Sequence, residues 1–246
     1  MISGDVPSDL KHANVTPIFK KGAKSDSGNY RPISLTSIPC KLFESLIKDG
    51  ITEHLSVNAL INASQHGFTK SKSCLTNLFE FLEIVTSEVD NGNYFDIIYL
   101  DFAKAFDTVP HNKLLAKMTA YGIEGKIYDW FKNWLTGRKQ CVVINGESSD
   151  LVNVDSGVPQ GSVLGPLAFI IFIDDIDGAA TLIKLIKKFA VDTKLGQTII
   201  NDKNRADLQE CLNQICSWAS RWGMLFNVKN SRLCILDEII QKQSIL

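Results

Sequence analysis

Two aspartates of the chain lie where a metal-dependent phosphoryl-transfer site could form. Asp101 ends an apolar stretch that begins at residue 96, and Asp192 lies in the short segment FAVDT, residues 189–193. Carboxylate oxygens are the hard ligands that Mg²⁺ prefers, and a pair of such ions supplies the charge neutralisation and alignment that phosphoryl transfer needs. On its own, an aspartate at the end of a strand is more often a turn or cap residue than a metal ligand.

Five sequence blocks around these aspartates occur in a defined order. The blocks are PIFKKG leading into NYRPISL (residues 17–35), QHGF (65–68), LDFAKAFD (100–107), GVPQGSVLGP (157–166) and FAVDT (189–193). In this order they resemble the reverse transcriptases of non-LTR retrotransposons of the jockey-like kind. The resemblance extends over residues 15–229 and therefore bears on almost the whole chain.

The resemblance implies RNA-templated DNA synthesis by two-metal nucleotidyl transfer, with Asp101 as a catalytic metal ligand and two Mg²⁺ ions as cofactors. The family carries two aspartates after the aromatic residue and alanine, and the first of these shares a metal with the strand-end aspartate. Here the first position is Val191, and a branched alkyl group cannot coordinate Mg²⁺. Asp192 is the remaining catalytic and metal-binding candidate. Because successive strand residues alternate, we expect the Asp192 side chain to point to the face opposite that of residue 191, away from Asp101. We therefore expect impaired activity.

The same resemblance implies residues that contact the substrate. Arg31, Lys20 and Lys21 correspond to residues near the incoming triphosphate, where a guanidinium can bind phosphate oxygens through two hydrogen bonds. Phe106 corresponds to the bulky residue beneath the nucleotide sugar, and Gln160 and Gly161 to a turn that contacts nucleotide and template. Without the family, the phenylalanine would be interpreted as a core aromatic and the Pro-Gln-Gly sequence only as a turn.

The partners that the resemblance implies are an RNA template, a DNA primer and deoxynucleoside triphosphates. Two alternatives remain open. One is a non-catalytic nucleic-acid-binding remnant, which would keep the basic stretch between Leu10 and Lys41, where six basic residues accompany one acidic residue. The other is an element remnant without a selected function.

Composition favours a globular intracellular protein. The 246 residues are 45% hydrophobic and 22% charged, which allows a sizeable core in one domain or two closely packed ones. Six cysteines without close pairs are typical of reduced thiols. The longest apolar run, residues 167–173, is too short to cross a bilayer, so we expect no membrane segment and a location in the nucleus or cytoplasm.

Hydrophobic periodicity predicts the elements that position these residues. Apolar steps of three and four predict helices around residues 75–89, 114–121, 127–135 and 208–222. In the first helix, the predicted core face consists of Leu75, Leu78, Phe79, Leu82, Val85 and Val89.

Local signals mark helix ends and a hairpin. Asn201 or Asp202 is a predicted N-cap of the last helix, and Gly223 lies just beyond its end. Asn145 and Gly146 follow a short strand pattern and predict a tight hairpin. Interleaved strands and long helices indicate a layered α+β or α/β domain.

The resemblance makes the fold class more specific: it implies an α+β right-hand polymerase with fingers and palm, in which helices cover a mostly antiparallel palm sheet. No thumb is expected, so the sequence is interpreted as a truncated domain. The fingers-like subdomain is expected over residues 1–95 and the palm-like subdomain over 96–230, with an unassigned tail at 231–246. A second aspartate pair, Asp174 and Asp175, follows a buried apolar run and is predicted to be a polar helix end and loop rather than a catalytic pair.

Overall fold

Within residues 4–235, the part of the chain that the computed structural model describes, the backbone forms nine strands and seven α-helices. The strands are β1 (His12–Phe19), β2 (Tyr30–Thr36), β3 (Tyr94–Asp101), β4 (Lys139–Ile144), β5 (Glu147–Ser148), β6 (Val152–Asn153), β7 (Leu185–Phe189), β8 (Asp192–Ile199) and β9 (Arg232–Ile235). The helices are α1 (Ile38–Val57), α2 (Cys74–Asp90), α3 (Ala105–Thr108), α4 (His111–Ala120), α5 (Gly125–Leu135), α6 (Gly165–Ile173) and α7 (Asp202–Trp222). The fold is therefore α+β, as the sequence predicts.

The chain forms two compact units, each built from two segments. Among the described residues, unit 1 comprises 4–60 and 106–172, and unit 2 comprises 61–105 and 173–235. The fingers-like and palm-like subdomains are defined by resemblance and remain predictions. No helix among residues 4–235 is long and apolar enough to cross a membrane.

Unit 1 contains a mixed sheet with the strand order β2-β1-β4-β5, and β6 also pairs with β4. β1 is antiparallel to β2 and parallel to β4. The predicted hairpin is confirmed, because Asn145 and Gly146 form a two-residue connection between β4 and β5 with φ of 52° and 88°. Positive φ at both positions is what a tight hairpin turn of this kind requires.

The helices α4 and α5 confirm two of the predicted helices and supply much of the core of unit 1. An aromatic stripe of α5 is buried, with Trp130, Phe131 and Trp134 at most 4% exposed. Leu114 and Met118 of α4 are also fully buried. α5 ends just before Gly137, whose φ of 66° allows the chain to leave the helix.

Unit 2 contains a wholly antiparallel sheet with the strand order β7-β8-β3-β9. α2 packs against β3 and β7, and α7 packs against β8. A buried hydrophobic cluster joins α2 to this sheet and consists of Phe81, Val85, Phe95, Ile97 and Leu185. A mostly antiparallel sheet covered by helices was the expectation, and it is confirmed.

The predicted α2 helix exists, but its predicted core face is wrong. Leu75, Leu78, Phe79 and Leu82 are 41–61% exposed. Of the predicted face only Val85 is buried, and it is joined by residues outside that face, Asn77, Phe81 and Glu88. The two polar residues tolerate burial because each has partners: Asn77 binds the Lys188 carbonyl, and Glu88 binds Lys184, Thr198 and Asn93.

The ends of α7 agree with the sequence. Asn201 is the N-cap, and it exchanges hydrogen bonds with Asn204 in a capping box. Gly223 adopts the left-handed conformation at φ 77° beyond the last turn.

The Asp174-Asp175 pair lies in a 3₁₀ helix (Asp174–Ala179) rather than in a loop. α6 ends at Ile173 as predicted, but Asp174 is 1% exposed instead of solvated. The reason is a set of hydrogen-bond partners: the Asp174 carboxylate accepts from the backbone N–H and the side-chain amide of Asn62, each at 2.9 Å. Lys188, also fully buried, donates to the Asp174 carbonyl at 3.0 Å.

Candidate functional site

In unit 2, Asp101 and Asp192 are direct partners at one end of the antiparallel pair formed by β3 and β8. Residues directly opposite in such a pair have side chains on the same face, with Cβ atoms about 4.5–5.5 Å apart. The expectation that Asp192 faces away from the strand-end aspartate is therefore wrong. The reason is the tight turn before β8: Phe189 and Asp192 are themselves paired, so alternation restarts at the first residue of the new strand.

The turn between β7 and β8 consists of Ala190 and Val191. Ala190 has φ of 53°, which is uncommon for a residue with a side chain. Its backbone N–H donates to Gln65 Oε1 at 3.1 Å. Val191 is half-buried and carries only an alkyl group at the position where the family carries an aspartate.

Asp101 is held by two asparagines from the segment after α7. Its Oδ2 accepts from Asn227 Nδ2 at 3.2 Å and from Asn230 Nδ2 at 2.7 Å. Its backbone carbonyl accepts from the Asn227 N–H at 2.7 Å. The sequence analysis assigned these asparagines no role, because nothing in an Asn-Val-Lys-Asn sequence indicates which carboxylate it will bind.

Asp101 and Asp192 present two carboxylates on one face of the β3–β8 pair. Carboxylates are ligands that hard divalent cations prefer, so these two residues could hold such an ion. Val191 has no oxygen to add to this pair, and Oδ2 of Asp101 already accepts two amide donors. Among residues 4–235 no group of three or more His, Cys, Asp or Glu side chains is arranged to hold a metal ion.

In unit 1, the loop of residues 157–165 carries Gln160 and Gly161. The Gln160 carbonyl accepts from the Ser34 N–H of β2 at 2.6 Å, and its side-chain amide donates to Asp107 Oδ1 at 3.1 Å. Gly161 has φ of 103°, and a Cβ there would lie 2.8 Å from the Ser34 carbonyl oxygen. The loop therefore requires glycine at this position, for conformation as well as for space.

A buried glutamate of α1 holds the end of this loop. Glu44 is fully buried, and its Oε2 accepts from the backbone N–H groups of Val163 at 2.6 Å and Leu164 at 3.2 Å. Its Oε1 accepts from Trp134 Nε1 at 3.0 Å and from Cys40 Sγ at 3.2 Å. Burial, followed by the neighbouring carboxylate, raises the pKa of the Cys40 thiol to about 12. Sequence reasoning missed Glu44, since a single glutamate in a helix is normally solvated.

A histidine holds the beginning of the loop. His111, at the start of α4, donates from Nε2 to the Gly157 carbonyl at 2.7 Å. Burial lowers the pKa of this imidazole below its usual value, although the hydrogen bond to Gly157 acts in the opposite direction.

The other predicted substrate residues of unit 1 lie on β2, after β1 and in α3. Arg31 is exposed and pairs across the sheet with Ile18, and Lys20 is exposed just after β1. Phe106 is half-buried and stacks on Phe169, with ring centroids 4.9 Å apart and an interplanar angle of 16°. This stacking fixes the plane of the Phe106 ring.

A cavity of about 300 Å³ brings several polar residues of unit 1 together beside the loop. It is lined by the Gln160 segment, by Pro32 and Ser34 of β2 and by a basic and amide-rich edge formed by Lys139, Gln140 and Asn153. The predicted contact residue Gln160 therefore opens onto a concave polar surface.

Comparison with known proteins gives this architecture a family. A family model described as reverse transcriptase (RNA-dependent DNA polymerase) matches residues 18–244. A probable RNA-directed DNA polymerase from transposon BS of Drosophila melanogaster is 29% identical over 230 residues, which cover 90% of this chain and 25% of that protein. The RNA-directed DNA polymerase from mobile element jockey of Drosophila funebris is 30% identical, over 91% of this chain and 25% of that protein. The chain spans about a quarter of the length of these curated relatives.

A solved structure supports the same fold. Telomerase from Candida tropicalis, in complex with a fragment of telomeric RNA, is similar with a TM-score of 0.69 and 13% identity, over 94% of this chain and 42% of that chain. Members of the reverse transcriptase family use divalent metal ions. This chain belongs to the reverse transcriptase (RNA-dependent DNA polymerase) family, as a domain of the non-LTR retrotransposon type.

Proposed function

We propose that this domain serves RNA-templated DNA synthesis by nucleotidyl transfer onto a DNA primer, and that Val191 impairs this activity in the chain as it stands. The observation that carries the proposal is the corner of unit 2, where Asp101 and Asp192 are direct strand partners beside a turn with valine at position 191. The reaction is inferred from the family, and the impairment is inferred from this corner, where Val191 has no carboxylate.

The residues of unit 1 are proposed to bind the incoming deoxynucleoside triphosphate and the template. Arg31 on β2, with Lys20 just after the neighbouring strand β1, binds the triphosphate, because exposed cationic side chains suit phosphate oxygens. Phe106 supports the sugar with a ring fixed by stacking. Gln160 and Gly161 contact nucleotide and template through a loop held at both ends, which suits a positioning role.

The cofactor is proposed to be Mg²⁺, held by Asp101 and Asp192. When bound, the ion neutralises charge on the transferring phosphate. The two carboxylates bind and orient the cation, and Val191 leaves the second position without an oxygen ligand. Removing one preorganised stabilising group from an active site costs about 10²–10³ in rate, and loss of a metal ligand is expected to cost at least as much.

The expected fingers-like (1–95) and palm-like (96–230) subdomains are part of this proposal. So is a location in the nucleus or cytoplasm, which the six free cysteines support, because thiols stay reduced in those compartments.

Primer extension on an RNA template with Mg²⁺ and deoxynucleotides tests the proposal. Three proteins are compared: the native chain, Val191→Asp, and Val191→Asp combined with Asp101→Ala. We expect extension from Val191→Asp at least 100-fold above the native chain, and none from the double variant. Equal extension by the native chain and Val191→Asp would contradict the role given to Val191.

If no protein extends primer, binding to the primer–template separates the remaining possibilities. Salt-dependent binding without extension would favour the non-catalytic nucleic-acid-binding remnant. Loss of a cooperative thermal transition would instead indicate a chain that does not fold.

A further inference from the structure

The segment of residues 64–67 lies directly beside the end of β7 in unit 2. The Lys188 N–H donates to the Ser64 carbonyl, and the His66 N–H donates to the Lys188 carbonyl, both at 2.9 Å. Gln65 and Lys188 thus form a parallel bridge. Two backbone hydrogen bonds therefore fix the point from which the Gln65 side chain starts.

The Gln65 side chain reaches from this bridge to the turn after β7. It is fully buried, and its Oε1 accepts from the backbone N–H groups of Gly67 at 2.9 Å and Ala190 at 3.1 Å. Its Nε2 is buried without a hydrogen-bond partner. A buried amide that leaves its donor unsatisfied is unusual. Only the carbonyl oxygen of this side chain therefore forms hydrogen bonds, both of them with backbone N–H groups.

The backbone of Ala190 needs such support. Its φ of 53° is disfavoured for a residue with a Cβ and persists only where the surroundings hold it. Gly67 packs against the same peptide so closely that a Cβ at this position would overlap the Ala190 nitrogen. The turn is thus held by one acceptor and one steric contact, both from residues 65–67.

We propose that Gln65 is a positioning residue for the metal-binding turn, through the hydrogen bond from Ala190 to its Oε1. Ala190 is the first residue of a two-residue turn, so its orientation sets the position of residue 191 and of Asp192 opposite Asp101. The effect of Gln65 on metal binding rests on the proposed function, whereas the hydrogen bond from Ala190 to Gln65 does not.

Amide hydrogen exchange at Ala190 tests the contact in the native sequence. Gln65→Met removes the acceptor at similar volume, and Gln65→Glu keeps an oxygen in its place. Gln197→Met is the matched control, because Gln197 is also buried in unit 2 and accepts one backbone N–H, that of Lys184 at 2.9 Å, far along β8 from the turn. We expect at least 10-fold faster exchange at Ala190 in Gln65→Met only. Unchanged exchange at Ala190 would overturn the positioning role.

Mn²⁺ binding, measured by electron paramagnetic resonance in the Val191→Asp background, tests the consequence. Loss of a group that orients a metal ligand typically weakens metal affinity 10- to 100-fold, and we expect this for Gln65→Met. Gln65→Glu and Gln197→Met are expected to remain within about threefold of the background. Equal weakening in Gln65→Met and Gln197→Met would indicate a general packing role and overturn the proposal.

Two further results keep the proposals distinguishable. If Gln65→Met does not melt cooperatively, Gln65→Asn replaces it, because a side chain shorter by one methylene draws the acceptor away from Ala190 while keeping the amide. If Val191→Asp gains no Mn²⁺ affinity over the native chain, the proposed function is contradicted. The exchange at Ala190 still decides the role of Gln65 in that case.

Discussion

The loop of residues 157–165 in unit 1 and the turn after β7 in unit 2 are fixed in the same way. In each, one buried side-chain oxygen from a preceding segment accepts two backbone N–H groups. Glu44 Oε2 accepts from Val163 and Leu164 in the loop. Gln65 Oε1 accepts from Gly67 and from Ala190 in the turn.

The two regions differ in what they present. The loop keeps the glutamine and glycine to which the resemblance assigns substrate contact, whereas the turn has Val191 where the resemblance places an aspartate. Yet the supporting contacts of the turn are intact, including the Ala190 conformation that they stabilise. The scaffold of a site and the chemical group that it carries are therefore separable, and loss of the group need not damage the fold.

The largest effect is expected when the acceptor of the loop is removed. Glu44→Ala leaves the N–H groups of Val163, Leu164 and Trp134 buried without their acceptor. Because each such group costs about 1–3 kcal/mol, we expect the free energy of unfolding to fall by at least about 3 kcal/mol for the three groups together. Urea denaturation measures the change.

Glu53→Ala is the control for that experiment, because Glu53 lies on the same helix with an exposed side chain. It is expected to change stability by no more than about 0.5 kcal/mol. A similar loss in both variants would show that the helix, and not the loop contact, depends on glutamate.

A smaller but still clear effect is expected at the turn of unit 2. Gly67→Ala adds a methyl group that overlaps the Ala190 nitrogen and lies 3.0 Å from the Ala190 Cβ. Overpacking of this kind costs about 1–3 kcal/mol, and it should lower the melting temperature. Gly178→Ala, where a Cβ would meet nothing within 4 Å, is the control. Equal melting temperatures for the two variants would contradict the close contact at the turn.

Much of this architecture could be predicted from sequence, where local chemistry decides the structure. Asn145 and Gly146 form the predicted hairpin, because few other residues accept positive φ at both turn positions. Asn201 caps α7 as predicted, because a cap depends on neighbouring residues only. The aromatic stripe of α5 is buried, because one face of that helix is clearly more apolar than the rest.

What could not be predicted depends on partners that are distant in the chain. Asp174 is buried because Asn62 and Lys188 bind it, and no local pattern shows this. Asp192 faces Asp101 because of the pairing register of β8, and the two-residue turn before β8 sets that register. The acceptors Glu44 and Gln65 were missed as positioning groups for the same reason.

The histidine that binds the loop of residues 157–165 should make the stability of the protein depend on pH. Burial lowers the pKa of His111 in the folded state below its ordinary value of 6.5. The unfolded chain then binds the proton more tightly, so the contribution of His111 to stability is complete above pH 6.5 and is lost as pH falls through that value toward the folded pKa. We expect His111→Gln to reduce the loss of stability between pH 7 and 5.

The same pH series on His12→Gln, which replaces an exposed histidine, is the control. The amide of a glutamine at position 111 can still donate a hydrogen bond but does not titrate. At pH 7, therefore, His111→Gln should cost no more than about one hydrogen bond, roughly 1 kcal/mol. An unchanged pH dependence in His111→Gln would contradict a lowered pKa at the loop.

The smallest effect is expected on the outer face of α2, where the apolar pattern and the structure disagree. Leu78 and Leu82 are each 41% exposed, whereas Phe81, on the adjoining face of the helix, is 6% exposed and packs in the core of unit 2. Leu78→Gln or Leu82→Gln should change the free energy of unfolding by no more than about 0.5 kcal/mol, and Phe81→Ala should cost about 3–5 kcal/mol. Similar losses on both faces would restore the face predicted from periodicity. If only Phe81 is sensitive, the face of α2 that contains Phe81 and Val85, and not the more continuous apolar stripe of the sequence, is the one that packs in the core of unit 2.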